Sequence, residues 1–136
     1  MAADLSSAEL DFFSGETQKL PTYVMLRDAF TFMAPGCEVR VHRTTVSFRA
    51  PRPFVYISFP FRKSDKGWTE SSLLISFTLD APSSHPAVIQ STFIRPAQYT
   101  IHALVSGPGG LEKSLAALVE CSLRYRNKQG GTHERL

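Results

Sequence analysis

The alternation of apolar and polar residues predicts two helices, then a run of strands, then a final helix. Residues 6–14 start at a serine and predict a short helix, which we expect to adhere to the domain as an arm outside its core. Residues 22–33 predict a second helix, preceded by Pro21 and ended by Pro35-Gly36. Its apolar stripe is expected to pack on a sheet. The stripe consists of Tyr23, Leu26, Phe30 and Met33.

From Val39 onward, apolar residues recur at every second position, which predicts strands. The alternation shifts by one residue within 42–44, and we expect a tight turn between two antiparallel strands there. The prolines of 51–53 predict the next turn, because proline fixes the backbone and cannot donate to a sheet. Strands are then predicted at 54–61 and 71–79.

The last third of the chain predicts a strand at 99–105 and a helix from 111 to about 127. Residues 87–95 are ambiguous and are predicted as a short helix or an irregular cover. The order of elements predicts an α+β fold, an antiparallel sheet of about five strands with the N-terminal and C-terminal helices packed on one face. The 136 residues are predicted to form a single domain, with flexible ends at about 1–5 and 129–136.

The composition is that of a soluble globular domain, with 43% hydrophobic and 20% charged residues. The longest apolar runs are far shorter than the ~18 residues that span a bilayer, and the start of the chain lacks the pattern of a signal peptide. Cys37 and Cys121 have neither metal-ligand nor CxxC spacing and predict two reduced thiols. We therefore expect a cytoplasmic protein with no membrane association.

The positive charge is concentrated in the strands that follow the second helix. Residues 39–66 hold seven bases and one acid, a net charge of +6, whereas residues 1–38 carry −4. The bases could attract an anion, a nucleotide or nucleic acid. Alternatively, they lie on a solvated face and pair with acids of the N-terminal helices, which is the more common role of surface charge.

The start of the last helix nearly matches a phosphate-binding loop. Residues 107–114 fit GxxxxGK[ST] except that Glu112 replaces the second glycine. A carboxylate at that position would repel phosphates, and Pro108 removes one of the N–H groups that would bind them. We therefore predict a glycine-rich turn in which Glu112 interacts with the helix N-terminus.

Metal and covalent chemistry find little support in the sequence. The four histidines form no HxH, HxxxH or HExxH pattern, although His42 and His102 lie on predicted strands and could meet across the sheet. There is no GxSxG sequence, and neither cysteine has a basic neighbour expected to activate it. We predict no metal site, no cofactor and no catalytic residue.

Four segments resemble the DUF5655 domain family of uncharacterised bacterial proteins, over about residues 10–126. They are DFFSG at 11–15, RTTVSFRAPRPFVYISFPFRK at 43–63, LLISFTL at 73–79 and QYTIH at 98–102. The last resembles the family's Arg-Trp-Thr-His-His motif, in which Thr100 and His102 are retained. Gln98, Tyr99 and Ile101 stand where the family has Arg, Trp and the first His. The resemblance implies an α+β fold and a cytoplasmic bacterial protein, and it carries no established activity.

The favoured hypothesis is a small non-enzymatic binding or regulatory domain with a basic pocket for an anionic ligand or a protein partner. Arginine suits carboxylates and phosphates, and an aromatic side chain can stack on a ring. The candidate ligand-binding residues are Arg40, His42, Arg43, Arg49, Tyr99 and His102. The alternatives are a nucleic-acid-associated protein and, after it, an enzyme that uses His102 as acid or base. A homodimer through an exposed sheet edge also stays open.

Overall fold

The structure, a computed structural model, describes residues 5–107 and 109–134, and their side chains as far as residue 126. The helices are α1 (Ser7–Phe12), α2 (Leu20–Met33) and α3 (Lys113–Glu134), with a 3₁₀ turn at Thr17–Lys19. The strands are β1 (Glu38–Val41), β2 (Val46–Arg49), β3 (Pro53–Ser58), β4 (Leu73–Leu79), β5 (Val88–Arg95) and β6 (Gln98–Val105).

The strands form one six-stranded sheet in the order β1-β2-β3-β4-β6-β5, and every neighbouring pair is antiparallel. This confirms the predicted α+β fold with one strand more than expected. The additional strand is β5, which occupies the segment predicted as a helix or irregular cover. Irregular pairing between Val88 and Gln90, and again between Phe93 and Arg95, interrupts its register with β6. These shifts disturb the period-two alternation by which a strand is recognised.

The helices cover one side of the sheet, which we call the helix face. Phe30 of α2 packs edge-on against Phe48 of β2, with ring centroids 5.2 Å apart. Leu115 and Val119 of α3 belong to the same buried cluster. The strand residues of this cluster include Val46, Phe48, Val55, Ile57, Leu73, Ile75, Phe77, Ile101, Ala103 and Val105. Three members of the predicted stripe of α2, namely Tyr23, Leu26 and Phe30, are fully buried.

The first helix is part of the core, so the prediction of an external arm is wrong. Phe13, which caps α1, is fully buried, and its ring lies 4.7 Å from that of Tyr23. Glu9 is 2% exposed. Its carboxylate accepts hydrogen bonds from the Tyr23 hydroxyl and from the Arg27 guanidinium, the latter at 2.8 Å. This buried pairing ties α1 to α2.

The last helix extends beyond the predicted end near residue 127 to Glu134. Gly130 and Gly131 lower helix propensity by about 1 kcal/mol each relative to alanine, but they do not end this helix. Residues 1–4 and 135–136 of the predicted flexible ends lie outside the described residues.

A serine of α3 joins two strands where their pairing stops. The pairing of β3 with β4 begins at Tyr56 and Ser76, so Phe54 and Thr78 are not paired directly. The Ser122 hydroxyl donates to the Phe54 carbonyl at 2.8 Å and accepts the Thr78 N–H at 3.1 Å. It therefore replaces a missing strand-to-strand hydrogen bond, and it is itself fully buried.

The other side of the sheet, which we call the polar face, is partly covered by the β3–β4 connection, residues 59–72. The Phe61 ring in this connection lies 5.3 Å from the His102 ring. The Gly67 carbonyl accepts a hydrogen bond from Ser106 at 3.0 Å. The connection is also held from the helix side, because the buried Lys19 ammonium donates to the Glu70 carbonyl at 2.8 Å. The polar face thus carries a loop where the helix face carries helices.

Candidate functional site

One row of polar residues crosses the polar face of the sheet from edge to edge. The strand register places Arg40 opposite Ser47, Ser47 opposite Tyr56, Tyr56 opposite Ser76, Ser76 opposite His102, and His102 opposite Gln90. Residues directly opposite one another in antiparallel strands project from the same side of the sheet. The row therefore places six polar side chains on one face of the sheet, and Ser47 among them is fully buried.

His102 is the most constrained member of this row. Its Nδ1 forms a 2.8 Å hydrogen bond with the Ser76 hydroxyl on β4, and the Phe61 ring contacts it edge-on. Burial lowers the pKa of His102 below its ordinary value, which favours the neutral imidazole at pH 7. Its Nε2 has no hydrogen-bond partner among the described residues. Among the described residues, His102 thus has one ring nitrogen available for a ligand, next to the Phe61 ring.

His42 and His102 do not meet across the sheet, so that expectation is wrong. His42 follows β1 at the sheet edge, and its Nε2 pairs with the Ser47 hydroxyl at 2.9 Å. Strands β2, β3 and β4 lie between β1 and β6, and neighbouring strands are ~4.8 Å apart. The two imidazoles therefore lie on one face but in separate surroundings.

Tyr99 lies on the face opposite to His102. It pairs with Leu79 on β4 and with Phe93 on β5, and its ring packs 5.6 Å from the Phe93 ring. It also packs against the buried cluster of the helix face. Tyr99 therefore cannot line one pocket with His102.

Two of the predicted arginines are held at the β1 edge by one acid. Arg40 pairs with Glu38 at 2.8 Å, and Arg49 approaches the other oxygen of Glu38 at 3.9 Å. Hydrogen bonding from Arg40 lowers the pKa of Glu38 below its ordinary value, which keeps this carboxyl charged. Both arginines therefore pair with an acid of strand β1, whereas the sequence suggested pairing with acids of the N-terminal helices.

Arg43 is placed differently from the other predicted arginines. It lies in the β1–β2 turn, forms no ion pair among the described residues, and lines a cleft of about 500 Å³. We call this cavity the Arg43 cleft. Its other lining residues are Asp11, Phe12, Thr44, Thr45, Ser58, Phe59 and Phe61. The volume lies within the range of about 300–1,000 Å³ that is usual for small-molecule sites.

Phe61 connects the Arg43 cleft to His102. Its side chain lines the cleft and also contacts the His102 ring. It is 56% exposed, so part of the ring is accessible to a ligand. Of the six predicted residues, the structure therefore relates Arg43 and His102 through Phe61. It leaves Arg40, Arg49 and His42 at the β1 edge and Tyr99 on the other face.

A second histidine site lies at the start of α3, where the sequence resembles a phosphate-binding loop. His85 Nε2 lies 2.8 Å from the Ser114 hydroxyl and 3.0 Å from the Glu112 carboxylate. Glu112 also accepts hydrogen bonds from the Ser114 hydroxyl and from the Leu115 N–H. The hydrogen bond from Ser114 is the main cause that lowers the pKa of Glu112 to about 2. The predicted interaction of Glu112 with the helix N-terminus is confirmed.

Serine, histidine and glutamate meet at this second site, but their arrangement differs from that of a hydrolase. In a catalytic triad the carboxylate orients Nδ1, and Nε2 accepts the serine proton. Here His85 Nδ1 accepts the Ala87 N–H at 3.0 Å, so the neutral ring carries its proton on Nε2. That nitrogen donates to Ser114 and Glu112 and cannot take a proton from the serine. The arrangement fastens the β4–β5 loop to α3.

Other chemistries are also limited in the part of the chain that the structure describes. No group of three or more His, Cys, Asp or Glu side chains there is placed to hold a metal ion. None of the described helices has both the length and the apolarity needed to cross a membrane. Arg124 donates a hydrogen bond to the sulfur of Cys121 at 3.3 Å, one helical turn away.

No family model, no curated protein and no solved structure matches this chain. The resemblance to the DUF5655 family therefore stays a prediction.

Three residues that line the cleft were not predicted from the sequence. Asp11, Ser58 and Phe61 were not among the predicted site residues. They come from the end of α1, the end of β3 and the β3–β4 connection, and only the tertiary fold brings them to Arg43. The one available signal was the segment from Phe59 to Phe61, where aromatic residues flank a proline just before a charged loop.

Proposed function

We propose that this protein is a small non-enzymatic binding domain that takes a small anionic ligand in the Arg43 cleft. The observation that carries the proposal is a guanidinium without an ion-pair partner among the described residues, lining a cleft with three phenylalanines. A guanidinium can donate two parallel hydrogen bonds to a carboxylate or phosphate. The aromatic side chains would cover an apolar or ring-shaped ligand body.

The cleft also offers weaker polar contacts that would orient such a ligand. Thr44, Thr45 and Ser58 line it beside Arg43, and each carries a hydroxyl that can donate or accept a hydrogen bond. A few polar groups in a mostly apolar cavity are the usual composition of a small-molecule site. The ligand is therefore expected to combine one anionic group with an apolar body.

The charge distribution favours a small ligand over nucleic acid. Three of the seven bases in residues 39–66 are engaged with acids, namely Arg40, Arg49 and Arg62. Nucleic-acid binding needs several cations that can each neutralise a phosphate. The enzyme alternative needs a group that activates His102, but among the described residues the His102 ring forms its hydrogen bond with the Ser76 hydroxyl. A non-catalytic role suits this arrangement better.

The cytoplasm stays the predicted compartment. Cys37 and Cys121 are free thiols, as is usual in a reducing environment.

A homodimer also stays a prediction. The edge strand β5 carries the exposed Phe93 and Ile94, on which a second copy could pack.

The proposal is tested by titrating isotope-labelled protein with small carboxylates and phosphates and following the backbone amides by NMR. Binding should shift the amides of residues 11–12, 43–45, 58, 59 and 61. Arg43→Gln should weaken it about tenfold or more, because a hydrogen bond to a charged group contributes about 1.5–3 kcal/mol. Arg52→Gln removes an arginine of the β2–β3 turn that does not line the cleft, and it should change little.

Two results would count against this function. One is a set of spectra that stays unchanged across all carboxylates and phosphates. The other is binding that Arg43→Gln leaves intact. A steeply salt-dependent mobility shift with DNA or RNA would favour the nucleic-acid alternative instead.

A further inference from the structure

Two opposite charges line the Arg43 cleft without neutralising each other. Arg43 comes from the β1–β2 turn and Asp11 from α1, and both side chains are exposed. The ion pairs among the described residues include neither of them. Each charge is therefore available to a ligand in the same cavity.

An aromatic wall accompanies the two charges. The rings of Phe12 and Phe59 stack with centroids 5.1 Å apart, and Phe12 directly follows Asp11 in the chain. Phe59 also packs edge-on against the buried Phe13, with centroids 5.7 Å apart. Through these contacts the rings of Phe12 and Phe59 pack against the core.

We propose that the ligand of the Arg43 cleft is a zwitterion with an apolar or aromatic body, whose anionic group pairs with Arg43 and whose ammonium group pairs with Asp11. This inference rests on the proposed function and narrows its ligand class. A small molecule with one carboxylate and one amine, such as an amino acid, has the required charges. A nucleoside polyphosphate does not.

The physical reason is the effect of Asp11 on a bound anion. A carboxylate in the same cleft repels a ligand that carries only negative charge, and the repulsion increases with each added charge. The same carboxylate attracts a ligand that also carries an ammonium group. Asp11 therefore lowers the affinity for simple anions and raises the affinity for zwitterions, while Arg43 is needed for both.

The test uses two matched sets of three compounds that share a ring and differ in charge. One set is 3-phenylpropionate, L-phenylalanine and 2-phenylethylamine, and the other is indole-3-propionate, L-tryptophan and tryptamine. Each is titrated into the wild-type protein and followed by NMR. Within each set, we expect the amino acid to bind about two- to fivefold more tightly than the carboxylate, the gain typical of a partly exposed ion pair.

Substitutions test the contributions of the two charges to binding separately. Asp11→Asn should remove the preference for the amino acid and strengthen binding of the simple carboxylate. Arg43→Gln should weaken both. Asp28→Asn, at an exposed acid of α2 that does not line the cleft, should preserve the preference and serves as the control.

The outcomes distinguish this inference from the function on which it rests. If the carboxylate binds through Arg43 as tightly as the amino acid or more tightly, the zwitterion is excluded and the anion-binding function stands. If the preference for the amino acid survives Asp11→Asn, the assigned role of Asp11 is overturned. If no compound of either set shifts the residues of the cleft, both are rejected for ring-bearing ligands of this size.

Discussion

The two faces of the sheet use polar side chains in different ways. Beneath the helices, the Glu9 carboxylate is held by Tyr23 and Arg27, and the Ser122 hydroxyl is held by two strands. On the polar face, His102 uses one ring nitrogen on Ser76 and leaves the other without a partner among the described residues. Arg43, which follows β1 in the β1–β2 turn, forms no ion pair with any of the described residues.

The difference separates structural polar groups from groups available to a ligand. A buried polar group without a hydrogen bond is costly, so the partners of Glu9 and Ser122 are needed to keep these two groups buried. A half-exposed group can leave part of its hydrogen-bonding capacity to water, and a ligand can take that place. Substitutions beneath the helices should therefore change stability, whereas those on the polar face and at the cleft should change binding.

The largest expected effect is the loss of an aromatic side chain from the helix face. Phe48→Ala should lower the free energy of unfolding by about 3–5 kcal/mol, because Phe48 is fully buried against Phe30. The matched substitution is Tyr56→Ala on the neighbouring strand and the opposite face, where the side chain is 37% exposed. It should cost about 1 kcal/mol or less. Urea denaturation measures both, and equal losses would remove the distinction between the faces.

The second-largest expected effect is the loss of stability when the Ser122 hydroxyl between β3 and β4 is removed. Ser122→Ala leaves the Phe54 carbonyl and the Thr78 N–H without the partner that joins them, and it should cost about 1–3 kcal/mol. Hydrogen exchange should show faster exchange at the Thr78 amide. Ser76→Ala, which removes a hydroxyl from the polar face of β4, should cost less than half as much. A Ser122→Ala variant as stable as the wild type would show that the bridge is dispensable.

Much of this fold could be predicted because it follows from local periodicity. The stripe of α2 and the alternation in β2, β4 and β6 arise from neighbours in sequence, and the structure confirms both. Strand β5 escaped prediction because its bulges break the alternation. The alternation in β6 also places Tyr99 on the same face as Ile101, opposite to His102. The predicted pocket that combined Tyr99 with His102 was therefore inconsistent with the alternation in the sequence itself.

The candidate site could be predicted only in part. Arg43 was named from its chemistry, but charge along the sequence does not show that Glu38 takes Arg40 and Arg49 while Arg43 stays unpaired. That distinction depends on which side chains the strand register places together. The partners of Arg43 in the cleft come from separate elements of the chain, and no local pattern relates those elements.

The paired acid under the helices should make stability depend on pH. Burial alone would raise the pKa of Glu9, but hydrogen bonds from the Ser6 N–H, Tyr23 and Arg27 outweigh it and lower the pKa. Its stabilising contribution is therefore complete above the ordinary pKa of about 4.3, and it is lost as the pH falls from there through the folded-state value. Glu9→Gln should cost about 1–2 kcal/mol at pH 7 and less at pH 3.

Urea denaturation of both proteins across this pH range measures the difference. Glu120→Gln, at an exposed acid of α3, is the control and should show little change at either pH. If the cost of Glu9→Gln is the same at pH 7 and pH 3, the carboxylate is not held in its charged form as the structure indicates.

The smallest expected effect is on the ionisation of His102. Burial lowers its pKa, and the Phe61 ring is part of that burial. Phe61→Ala should therefore move the pKa of His102 back up toward its ordinary value near 6.5. In the wild type, the folded-state pKa lies below the unfolded one, so a small part of the stability is lost as the pH falls from 6.5 through the folded-state value. Phe61→Ala should reduce that loss.

NMR titration of the histidine ring protons reports this pKa directly. Phe93→Ala is the control, because Phe93 is equally exposed but contacts Tyr99 on the helix face. If Phe93→Ala moves the pKa of His102 as much as Phe61→Ala does, the shift arises from general loosening of the sheet. If only Phe61→Ala moves it, the side chain that lines the Arg43 cleft also shields His102. A ligand in the cleft should then also change the His102 titration, because Phe61 both lines the cleft and contacts His102.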